Sequence, residues 1–125
     1  GKHSDALTLL QQVEFQDVFY HLSAKSLLLK LYYEADEDAA LEFLLETFRL
    51  FLQRSSVIGS FQRQVHLNLL KYTRKLHRLR EQMFLIKKEK FAERLQILHH
   101  QVLETEDIAN KSWLQEQIKI LQTNR

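Results

Sequence analysis

The chain has 125 residues, 45% of them hydrophobic and 27% charged, with a formal net charge of +2. That length suits one domain with a real core, and the apolar content excludes global disorder. No apolar run approaches the roughly 20 residues of a membrane helix, and the absence of cysteine removes disulfides, thiolate metal sites and cysteine nucleophiles.

Proline is also absent and glycine occurs only twice. Inside a helix proline costs about 3 kcal/mol and glycine about 1 kcal/mol, so the composition is that of long helices. Residues Ser4 to Val13 form a short apolar-rich piece with no clear opening. The spacing then predicts a first helix from about Asp17 to Glu34, with Asp17 as N-cap and Phe15 as a staple on its first turn. Phe15, Val18, Phe19, Leu22, Ser26, Leu29 and Tyr33 follow helical spacing. Leu27, Leu28, Leu31 and Tyr32 add a second apolar face. A helix apolar almost all round is expected to be buried on several sides, as the central element of the fold.

Asp36 opens the second predicted helix, which runs to about Gln53. Glu37 and Asp38 in its first turn and Arg49 and Arg54 near its end oppose the helix dipole. Its stripe is Ala40, Leu41, Leu44, Phe48, Phe51 and Leu52, with Phe43 and Leu50 off it. So short a connection requires the two helices to fold back as an antiparallel pair. The stretch Arg54 to Ser60 is the clearest break, with Val57 and Ile58 expected to tuck onto the core.

The third predicted helix follows, to about Met83. Ile58, Phe61, Val65, Leu69, Tyr72, Leu76, Leu79 and Met83 recur at steps of three and four, a sustained seam. The fourth runs from about Lys87 to Glu104, with Phe91, Leu95, Leu98 and Val102 inward; whether Phe84 to Ile86 breaks or continues the helix is open. A polar joint at Thr105 to Asp107 leads to a last helix facing inward with Leu114, Ile118 and Leu121, with Trp113 beside them. The expected fold is all-α, four to five antiparallel helices in a helical-repeat-like or irregular bundle. The expected domain organisation is a single helical domain over 1–125. An opening Gly1 in place of Met reads as the scar of a removed tag, and sets the expectation of a piece excised from a larger protein, its C-terminal end.

Charge is unevenly spread. Residues 1–60 carry −4, residues 61–94 carry +7 and residues 95–125 carry −1. The candidate patch for an anionic partner is Arg63, Lys71, Arg74, Lys75, Arg78, Arg80, Lys87 and Lys88. Within it Lys71, Arg74, Lys75 and Arg78 stand three or four apart on one helix face. Such a patch suits nucleic acid, an acidic protein or a lipid surface. The alternative is a solvated face balanced by acidic helices elsewhere.

The sequence offers little chemistry. His99 and His100 are adjacent, and His66 and His77 lie three turns apart, about 16 Å, so neither pair chelates one ion readily. The acidic run Glu34, Asp36, Glu37, Asp38 is read as capping. No glycine-rich phosphate loop or nucleophile elbow is present. The expectation is therefore no catalytic residue, no metal and no cofactor.

The stretch from Leu28 to Leu44 resembles a tetratricopeptide-like unit, with Tyr33 ending one helix and Ala40-Leu41 opening the next across a tight polar turn. It lacks the family's turn glycine, its closing proline and a second copy at 34 residues. Leu28-Leu29-Lys30 recurs as Leu69-Leu70-Lys71 at a spacing of 41. The resemblance implies a helix-pair scaffold that binds other proteins, or the remainder of its own parent chain. The expected role is thus a non-catalytic scaffold or protein-interaction module. The alternative is nucleic-acid binding through the basic face of residues 61–94. Homo-oligomerisation is compatible with either. Absent cysteine, and a start without a secretory pattern, set a cytoplasmic location as the expectation.

Overall fold

A computed structural model describes residues 2–124, with the side chains of residues 2–4, 7, 10, 11, 14 and 15 outside the description. The expected Phe15 staple therefore lies outside the described residues. The chain is all-helical: α1 (Lys2–Glu34), α2 (Asp38–Arg54), α3 (Ser60–Gln82), α4 (Lys88–Glu104) and α5 (Lys111–Asn124). Its contacts divide it into two compact units, one up to Ser60 and one from Phe61 onward.

In the first unit α1 and α2 pack as an antiparallel hairpin. Phe51, near the end of α2, meets the His21 ring at 5.9 Å and lies 5.1 Å from the Lys25 ammonium. The helix does not open at Asp17, which stands in mid-helix and cannot cap it. Aspartate is a weak helix former but no breaker, costing at most about 0.7 kcal/mol. Nothing between Lys2 and Asp17 stops the helix.

The turn between α1 and α2 corrects the assignment of Asp36. The Glu37 amide donates to the Tyr32 carbonyl at 3.0 Å, and the Asp36 amide to Tyr33 at 3.3 Å. Asp36 itself is left-handed, with φ of 56°. These two bonds and that conformation define a Schellman stop, with aspartate where glycine is usual. Asp36 closes α1; Glu37 stands at the N-cap of α2 and makes no side-chain capping bond. Leu41, Leu44, Leu45, Phe48 and Leu52 are the buried residues of α2.

The burial on several sides expected of α1 is not found among its described residues. On α1 the described buried residues are Leu22, Ser26, Leu29 and Tyr33, one face only, while Phe19, Tyr20, Leu27, Leu28 and Leu31 are exposed. On α3 the seam Val65, Leu69, Tyr72, Leu76 and Leu79 is buried, and so is a second face of His66, Leu70, Thr73 and His77. Phe61, expected in the seam, is 60% exposed, and Ile58 is buried just ahead of the helix.

In the second unit the chain turns between Gln82 and Lys88, settling the break at Phe84 to Ile86. Four contacts then fix the antiparallel register of α3 and the returning chain. Arg94 bonds Gln82 at 3.1 Å, Lys75 bonds Gln101 at 3.2 Å, Tyr72 bonds Thr105 at 2.9 Å and Asn68 bonds the Asp107 carbonyl at 2.8 Å. Each step down α3 matches a step up the partner segment. The ladder ends on a backbone bond, from the Ala109 amide to the Val65 carbonyl at 3.0 Å. Lys111 closes α4 by donating to the carbonyls of Leu103 at 3.1 Å and Thr105 at 2.8 Å, where a cation complements the dipole. Phe91, Leu95, Leu98 and Val102 of α4 are buried, as are Leu114, Ile118 and Leu121 of α5, as the spacing predicted.

Candidate functional site

Successive residues of a helix are about 100° apart, which places Lys71, Lys75, Arg78 and Gln82 in one line along α3. Lys71 and Lys75 hold their ammonium groups 5.2 Å and 5.7 Å from the Tyr72 ring centroid, within cation–π range. Between this line and α4 lies a groove of about 250 Å³. Its α3 wall is Lys75, Arg78, Leu79 and Gln82; its α4 wall is Arg94, Ile97, Leu98 and Gln101.

The polar arrangement is reciprocal. Lys75 of α3 donates to Gln101 of α4, and Arg94 of α4 donates to Gln82 of α3. Both acceptors are neutral amides, which bring no negative charge to either cation. Arg78 is exposed between them, and among the described residues no carboxylate lines the groove. The floor is apolar: Leu79 and Leu98 are buried, and Ile97 offers half its surface. Three uncompensated positive charges over a low-dielectric floor focus a field that attracts anions.

Of the eight basic residues picked out from the sequence, the fold brings Lys75 and Arg78 into this groove. Lys71 lies in line with them, one turn beyond the lining. Arg74 is half-buried beside them, and Arg63 half-buried near the start of α3. Arg80 points about 180° from Lys71 around the helix axis. Lys87 precedes α4 at its N-cap without a side-chain capping bond. Lys88 borders a different cavity, about 290 Å³, with Phe91, Leu95 and Gln122. The groove's third cation, Arg94, and its apolar Ile97 were missed in the patch, because only the α3–α4 register brings them opposite Arg78.

Elsewhere on α3, His66 is buried and its Nδ1–H donates to the Gln62 carbonyl at 2.7 Å. Burial pulls its pKa below the usual histidine value, and the hydrogen bond offsets this only in part. No helix among the described residues is long and apolar enough to cross a membrane.

No family model, curated protein or solved structure matches the chain.

Proposed function

We propose that the chain is a non-catalytic protein-interaction module, and that the α3–α4 groove receives an acidic, amphipathic helical segment of a partner protein. The observation that carries this reading is the pairing of an apolar floor with a rim of three cations and two neutral amides. Leu79, Ile97 and Leu98 suit apolar anchors at helical spacing; Lys75, Arg78 and Arg94 suit the carboxylates flanking them. A nucleic-acid backbone would use the cations and leave the apolar floor without a partner. The resemblance of residues 28–44 to a protein-binding helix pair supports the same class of role.

The test is fluorescence anisotropy with a labelled amphipathic helical peptide, Leu and Ile on one face and Glu on the other. The reading expects saturable binding, weakened by Ile97→Asp and by the pair Arg78→Glu and Arg94→Glu. Exposed ion pairs are worth about 0.2–1 kcal/mol each, so neutralising both arginines to Gln should cost roughly twofold to thirtyfold. Single-stranded and duplex RNA serve as comparison ligands. RNA binding that falls steeply with salt and ignores Ile97→Asp, with no peptide binding, would replace this reading by the nucleic-acid one.

A further inference from the structure

The first helix carries an apolar stripe that its own unit leaves uncovered. Leu9, Val13, Tyr20, Leu27 and Leu31 are between 47% and 72% exposed. At about 100° per residue they fall within roughly 20° of one line. The buried face of Leu22, Ser26, Leu29 and Tyr33 centres on the opposite side of the same helix. This two-sidedness is why α1 reads as apolar all round.

The stripe is symmetric about Tyr20. Leu27 and Val13 stand seven residues to either side, and Leu31 and Leu9 stand eleven. Gln16 and Ala24, four to either side, fill the remaining places, so the steps along the stripe are three and four throughout. That is the spacing of a helix-packing seam. Laid antiparallel on itself about a two-fold axis at Tyr20, it sets Leu9 against Leu31, Val13 against Leu27 and Gln16 against Ala24. A two-fold interface requires this self-complementarity, in which i meets j and j meets i. No Asp, Glu, Lys or Arg stands on the stripe from Leu9 to Leu31, so pairing buries no unmatched charge.

We infer that α1 is a homodimerisation helix, pairing antiparallel with the α1 of a second copy of this chain about Tyr20. The stripe is about 33 Å long. With their flanking residues, side chains of this exposure give an area on the order of the ~800 Å² per partner that a stable interface needs. This inference concerns a different face from the α3–α4 groove and stands independently of it.

Sedimentation equilibrium tests it on the whole chain. The expected mass is twice the monomer's 15.0 kDa, falling to one monomer for Tyr20→Arg or Leu27→Arg with helicity by circular dichroism unchanged. Direction is read by cross-linking, since the chain has no cysteine of its own. Val13→Cys mixed with Leu27→Cys should form the mixed disulfide dimer under mild oxidation, and Val13→Cys alone should not. A wild-type monomer at all concentrations up to about 0.5 mM, a dimer indifferent to Leu27→Arg, or efficient cross-linking of Val13→Cys to itself would each overturn the inference.

Discussion

Tyr72 of α3 donates its phenolic hydrogen to Thr105, at the end of α4, across 2.9 Å. The direction follows from Thr105, whose single hydroxyl hydrogen goes to the Gln101 carbonyl at 2.8 Å. One bond thus joins two helices and the cap of the second, at the middle of the ladder that sets their register. Tyr72→Phe keeps the ring under Lys71 and Lys75 and removes only this bond. The expected loss is about 0.5–1.5 kcal/mol. A double-mutant cycle with Thr105→Val should return a coupling of at least about 0.5 kcal/mol; additive single effects would show that the bond does not set the register.

Leu69 is fully buried in the α3 seam. Leu69→Ala should lower stability by about 2–5 kcal/mol. Leu69→Asp adds the cost of a buried, unpaired carboxylate and should abolish the cooperative unfolding transition in urea. A Leu69→Asp chain that melts like the parent would remove Leu69 from the buried seam of α3.

Asp36 holds a left-handed backbone conformation that costs residues with a β-carbon roughly 1–2 kcal/mol, aspartate less than most. Asp36→Gly should therefore raise the melting temperature by a few degrees, and Asp36→Val should lower it, on the scale of about 4 °C per kcal/mol. The opposite order would mean that the aspartate side chain, and not the turn geometry, holds the hairpin.

Because burial holds the folded pKa of His66 below its unfolded value, the unfolded chain takes up the proton first as pH falls. Its neutral form contributes fully above the unfolded value, about 6.5. Stability is then lost as pH falls from that value through the folded pKa, and levels off below it. Urea midpoints at pH 7.5 and 5.5 should differ more for the parent than for His66→Gln. Equal differences would show that other groups set the pH response.

Much of this fold is legible in the sequence, because the stripes of α2, α3, α4 and α5 recur at helical spacing and those faces are buried. What escaped depended on information that periodicity does not hold. Asp17 and Asp36 each look like a helix opening, since aspartate caps N-termini and also tolerates a left-handed turn; only the amides of Asp36 and Glu37 decide which. The outward stripe of α1 is apolar and exposed, while the second buried face of α3 carries His66, Thr73 and His77, so polarity alone assigns both faces to the wrong side. Lys75 and Arg78 are three apart and could be grouped by eye. Arg94 joins them only through the register that Tyr72 and Thr105 help to hold.

An acidic amphipathic helix is the proposed occupant of the groove walled by Lys75, Arg78, Arg94 and Ile97. The most direct measurement is a titration of the ¹⁵N-labelled chain with such a peptide, followed by amide chemical shifts. Saturable shifts are expected, concentrated at residues 75–82 and 94–101 and lost when Arg78 and Arg94 are both replaced by Glu. No shift at millimolar peptide, or shifts centred outside these two segments and untouched by the replacements, would contradict it.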